Sequence, residues 1–99
     1  MGVEYRGQLC IGYNYDQMLQ IVEEFGSGGD YADLGFEMFS PYYDADKEDS
    51  IFGYSIARSG VYDYRSVDDS KLAEITIRKQ MLYHKFLITP QTYIMAEGY

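Results

Sequence analysis

Ninety-nine residues, 46% hydrophobic and 17% aromatic, make one domain with a core of its own and exclude a disordered tail, whose mark is few aromatics and high charge. A net charge of −8 and a pI near 4.4 exclude the usual electrostatics of direct nucleic-acid or anionic-membrane binding, because the field repels phosphate. No apolar run reaches membrane-spanning length, the first residues carry no signal-peptide pattern, and the single Cys10 fits a reducing compartment, so a cytoplasmic location is expected.

In chain order, residues 3–14 alternate. Val3, Tyr5, Leu9, Ile11 and Tyr13 share one parity, and Glu4, Arg6, Gln8, Cys10 and Asn14 the other. That predicts a half-buried strand with Gly7 as a bulge or bend, and a Cys10 less buried than most free cysteines. Asn14 followed by Gln17 reads as a helix N-cap with its capping-box partner. Tyr15, Met18, Leu19, Val22 and Phe25 recur at helical spacing, Asp16 suits the first-turn dipole, and Gly26 suits a stop. The spacing predicts a helix over 15–25, then a flexible glycine-rich loop over 26–30.

Leu34 to Tyr43 predicts a strand whose end Pro41 pushes to an edge, and Asp44 to Ser50 a charged loop. Ile51–Ala57 and Val61–Arg65 predict two strands of a hairpin about Arg58-Ser59-Gly60. Ser66 or Asp68 caps a second helix running to about Leu87, where Thr89-Pro90 ends it. Leu72, Ile75, Leu82, Tyr83 and Phe86 cluster on one face of that helix. Ala73, Ile77, Met81 and Ile88 widen the apolar arc, leaving only Lys71, Glu74, Arg78 and Lys85 as a polar stripe. The second helix is therefore expected to be heavily buried. Thr92–Ala96 is the last strand. The order β-α-β-β-β-α-β predicts an α+β domain over 1–99, a mostly antiparallel sheet with two helices on one face. A ferredoxin-like arrangement with an added strand is the nearest pattern.

Catalytic chemistry finds little purchase. Cys10 and His84 are the only thiol and imidazole, and Lys85 beside His84 lowers its basicity, so no nucleophilic dyad is expected. Carboxylates alternate at Asp44, Asp46 and Glu48 as in a Ca²⁺ loop. The EF-hand pattern then needs Gly sixth and Glu twelfth, where this chain has Asp49 and Ser55, and Lys47 opposes a cation. The glycines at 26–29 follow a helix instead of opening one, and no Gly-Lys-Ser/Thr follows them, so a phosphate cradle is not expected. Paired carboxylates for sugar hydrolysis would need a cleft that two helices leave little room for, and no Trp is present to stack a sugar. Neither enzymatic activity nor a cofactor or metal is expected.

Charge carries the remaining signal. Residues 14–70 hold thirteen acids and three bases, whereas 71–99 hold two acids and four bases. More than half of the twelve tyrosines lie in the acidic stretch, several beside a carboxylate. Spaced carboxylates can occupy a groove built for nucleic acid, and Tyr adds rigid contact area at low entropic cost. The expected partner-binding residues are Asp30, Asp33, Tyr42, Tyr43, Asp44, Asp46, Glu48, Asp49, Tyr62, Asp63, Tyr64, Asp68 and Asp69, with Glu23 and Glu24 as further acids of the same face. The partner would be a basic protein, in particular a nucleic-acid-binding enzyme or complex. The alternative is a dimeric small-ligand binder in which Tyr rings stack a nucleotide base and Arg58, Arg65 and Lys71 hold its phosphates. In size, acidity and lack of a catalytic signature, the chain is similar to the small phage-encoded inhibitors of bacterial defence systems. That resemblance, which no diagnostic motif carries, implies an inhibitor in the host cytoplasm that occupies a nuclease's nucleic-acid groove.

Overall fold

The computed structural model describes residues 5–26, 29–42, 44–60 and 66–98. Within them the chain forms β1 (Tyr5–Tyr13), α1 (Tyr15–Phe25), a first 3-10 turn (Tyr31–Leu34), β2 (Glu37–Phe39), a second 3-10 turn (Lys47–Asp49), β3 (Ile51–Arg58), α2 (Asp69–Phe86) and β4 (Gln91–Gly98). The strands make one sheet in the order β2-β3-β1-β4, with every neighbouring pair antiparallel. β1 and β2 flank β3, and β3 and β4 flank β1, so two β-α-β units interleave in the ferredoxin-like split arrangement. The expected α+β class is what forms. The added strand expected at 61–65 lies outside the described residues.

Local chemistry sets the helix ends. Asn14 Oδ1 accepts the Gln17 amide at 2.9 Å, and Gln17 Oε1 accepts the Asn14 amide at 3.2 Å, the reciprocal box that starts α1. Asp68 Oδ1 accepts the Lys71 amide at 3.0 Å to start α2. Leu87 stops α2 in the left-handed region (φ 62°), and its amide donates to the Tyr83 carbonyl. Both helices cover one face of the sheet. Ile11 and Tyr13 of β1, Phe52 and Ile56 of β3, Met18 and Ile21 of α1, and Leu82 and Phe86 of α2 form a single buried cluster with Phe36. The Tyr13 hydroxyl, buried with its ring, donates to the Ile88 carbonyl at 2.9 Å.

The structure overturns four expectations. The strand expected over Leu34–Tyr43 shrinks to Glu37–Phe39: at its start the 3-10 turn capped by Asp30 and Asp33 takes in Leu34, and at its other end pairing with β3 stops at Phe39, before Pro41. Asp30 Oδ1 accepts the Ala32 amide and Asp33 Oδ2 accepts the Asp30 amide, each at 2.9 Å. Gly35, at φ 82°, then turns the chain into Phe36. Gly7 is not a bulge: the register with β4 runs unbroken through it. It is glycine because Ser59 Oγ accepts its amide at 2.9 Å, and a Cβ there would lie 2.5 Å from that oxygen.

Cys10 is fully buried although it lies on the sheet face away from the helices, because Ser55 and Tyr93 flank it on the neighbouring strands and the side chains of Gln8, Arg58 and Glu97 crowd beside it. Finally, α2 is not heavily buried. Only Leu82 and Phe86 are enclosed, while Leu72, Ile77, Met81 and Tyr83 are exposed. Two helices share one sheet face, so α2 lays down only a narrow line of contact. Its polar stripe takes part of the sheetward flank: the Arg78 guanidinium stands 5.3 Å from the Tyr54 ring centre. No helix among the described residues is long and apolar enough to cross a membrane.

Candidate functional site

Polar side chains gather in three groups, and the first depends on a bulge. Phe52, Tyr54 and Ile56 of β3 alternate toward the helices. Continuing that alternation would send Arg58 the same way. Instead Cys10 pairs with Ser55 and Leu9 with Ala57, leaving Ile56 unmatched. The extra residue re-aims the end of the strand, so Arg58 joins Ser55 on the sheet face away from the helices. There Arg58 Nη2 donates to Glu37 Oε2 at 3.0 Å, and its Nε lies 4.0 Å from Glu97 Oε1. Glu97, 6% exposed, also accepts from Arg6 Nε at 2.9 Å. Gln8 fits between them: with its amide oriented to suit its neighbours, its oxygen accepts from Arg58 Nε at 2.6 Å and its nitrogen donates to the Ala57 carbonyl at 3.1 Å.

This network ties all four strands together through Arg6, Glu97, Arg58 and Glu37. Its charges are internally matched. Cys10 sits beside it, and burial, reinforced by the Glu97 charge and opposed by Arg58, pushes its thiol from 9.0 to about 12. A protonated thiol is a poor nucleophile. His84 is exposed on α2, so the sheet itself stands between Cys10 and the imidazole. Sequence reasoning missed this network because Arg58 joins it only through the bulge. A usable signal was present all the same: Arg6 and Glu97 fall opposite one another once the first and last strands are paired.

The second group is the set of bases expected to hold phosphate. Arg58 and Lys71 do share one open depression with Ser55 and Ser66. Arg58 is already bound to Glu37, and Lys71 Nζ lies 3.5 Å from Glu74 Oε2, so an anion would have to displace carboxylates. Arg65 lies outside the described residues.

The third group is the acids. The first 3-10 turn carries Asp30 and Asp33. The second carries Glu48 and Asp49, with Asp46 at its start, and Asp44 precedes it in a left-handed conformation (φ 60°). Both turns pack against α1; the first leads into β2, and the second closes the connection from β2 to β3. Lys47 reaches from the second turn to the first, its ammonium 5.7 Å from the Tyr31 ring centre, and that ring packs edge-on against Phe52. Among the described residues, none of these six acids makes an ion pair, whereas Glu37, Glu74 and Glu97 all do. Exposed Tyr42 donates to Asp49 Oδ2 at 2.7 Å, a bond to the carboxylate that raises its phenol pKa. Asp68 and Asp69 stand apart from this group. They open α2 near the far end of β3, where Ser66 and Lys71 meet Arg58. Tyr43, Tyr62, Asp63 and Tyr64 lie outside the described residues. Among those described, no three His, Cys, Asp or Glu side chains converge as metal ligands would.

No protein family matches the chain, no curated protein is similar to it, and no solved structure resembles its fold closely enough to match.

Proposed function

We propose that this chain is a non-enzymatic acidic binding protein, an inhibitor or adaptor. Its Asp30, Asp33, Asp44, Asp46, Glu48 and Asp49, with Tyr42 among them, engage the basic surface of a partner that handles nucleic acid. The observation that supports this reading is that these six exposed carboxylates lie on and beside two turns packed against α1 and make no ion pair among the described residues, whereas Glu37, Glu74 and Glu97 each meet an Arg or Lys. Each exposed pair they form is worth only about 0–1 kcal/mol, but together they raise the rate of encounter and reject acidic competitors.

The test is capture from a lysate of the native host at low and high ionic strength. The wild-type chain should retain a basic, nucleic-acid-binding protein, and added DNA or RNA should displace it. A variant carrying Asp44→Lys, Asp46→Lys, Glu48→Lys and Asp49→Lys should fold and lose that capture. Equal retention by the variant, or a partner that binds independently of salt, would overturn the reading.

A further inference from the structure

We infer that the groove between the C-terminal ends of α1 and α2 docks a basic, amphipathic segment of a partner protein. An apolar side chain of that segment would sit on Leu87, and its Lys or Arg against Glu23 and Glu24. The two helix ends meet there, with the Phe25 ring edge-on to Phe86 at 5.4 Å. Gln20, Glu23 and Glu24 of α1 form one bank of an open depression of about 720 Å³, and Phe86, Leu87 and Ile88 form the other. None of the six acids of the turns lines it. Two local rules are broken at this one place. A helix C-terminus favours bases and disfavours acids, because its dipole is negative there. α2 obeys, with His84 and Lys85 in its last turn, but α1 has no base in its last turn and carries Glu23 and Glu24 instead. Neither makes an ion pair among the described residues. The second break is Leu87, which holds φ 62°, where Gly is unstrained and a larger side chain is not. Its side chain is 72% exposed, so core packing does not offset the strain. Local rules broken without a gain inside the chain mark positions that act on something outside it.

Charge complementarity selects the occupant. The carboxylates of Glu23 and Glu24 add to the negative end of the α1 dipole on one bank, and a chain of net charge −8 draws in basic segments. Neither His84 nor Lys85 lines the groove; Lys85 lines a separate depression with Tyr54 and Arg78. The other bank is apolar, so a bare cation would leave it uncovered, whereas nucleic acid or an anionic lipid would be repelled by the first. A segment with Lys or Arg set beside a Leu, Ile, Phe or Met satisfies both banks at once. Covering Leu87 would also bury the apolar surface that the chain alone leaves in water.

Panning a library of random peptides of about twelve residues on the full chain tests this. The enriched peptides should carry Lys or Arg close to a Leu, Ile, Phe or Met. Titrating one of them should move the amide resonances of Gln20, Glu23, Glu24 and residues 86–88, and replacing its apolar residues by Ser should abolish binding. Leu87→Gly relieves the backbone strain, so it should melt no lower than the wild-type chain, yet it should weaken the peptide at least about tenfold. Glu23→Gln with Glu24→Gln should weaken it by a similar factor. The variant with Asp44, Asp46, Glu48 and Asp49 replaced by Lys should bind it as before, which separates this groove from the acidic turns. A library that yields no peptide, or only acidic ones, overturns the proposal. So does a basic peptide that Leu87→Gly leaves untouched, or one lost only in the turn variant; that last result would leave the role of the turns standing.

Discussion

Two carboxylates bind the same arginine from different surroundings, and their replacement should separate burial from contact. Glu97 faces Arg6 and Arg58 with its side chain 8% exposed, whereas Glu37 meets Arg58 at 3.0 Å with 57% of its side chain in water. Removing one partner of a fully buried pair costs about 3–5 kcal/mol, because a charge is left unmatched. Here the arginines are 32% and 37% exposed, so water recovers part of that loss, and Glu97→Gln keeps an oxygen for Arg6. The expected cost is about 2 kcal/mol, a fall in melting temperature of roughly 8–16 °C for a domain this size. Glu37→Gln should cost under about 0.5 kcal/mol and less still in high salt. Thermal and urea melts of both variants, at low and high ionic strength, give the comparison. If Glu37→Gln proves as damaging as Glu97→Gln, or if neither shifts the melt, the network does not hold the sheet as argued.

Neighbouring positions on α2 should behave oppositely: Leu82→Ala should cost about 2–5 kcal/mol in urea denaturation of the monomer, and exposed Met81→Ala under about 0.5 kcal/mol. Cys10 should resist thiol reagents in the folded chain near pH 8 and react on denaturation; equal rates in both states would contradict its burial. Its raised thiol also sets a direction with pH. The unfolded chain loses this proton near 9.0 and the folded chain only near 12, so stability should fall as pH rises through that window. Cys10→Ser should flatten the slope in part, because burial also pushes the Tyr13 phenol to about 12. Gly53→Ala should destabilise by about 1–3 kcal/mol or more, since its Cβ would fall 2.0 Å from the Ile11 carbonyl oxygen; a neutral melt would show that the β1–β3 approach relaxes freely.

What could be read in advance was whatever depends on near neighbours in the chain. The Asn14–Gln17 box and the Asp68 cap form where the spacing put them. The alternation of β1 correctly sends Ile11 and Tyr13 to the core. The failures came from long-range geometry. The apolar residues of α2 span so wide an arc that periodicity cannot choose which line meets the sheet. Cys10 looked half-exposed because alternation puts it on the face away from the helices, and only the pairing of distant strands brings Tyr93, Arg58 and Glu97 over it. The bulge at Ile56 arises from pairing with β1, far back along the chain, and nothing local announces it. For the acids, the sequence showed their density along the chain. It could not show that Asp30 and Asp33 come beside the 44–49 segment while Asp68 and Asp69 start a helix elsewhere.

The interleaved strand order has a consequence for assembly during synthesis. β1 emerges from the ribosome before the other three strands, yet its neighbours are β3 and β4. It must wait, half-satisfied, until β4 is out, and α1 has no completed sheet to settle on before then. Folding should therefore begin late, as one concerted event, and truncation before residue 91 should leave β1 with an orphaned flank.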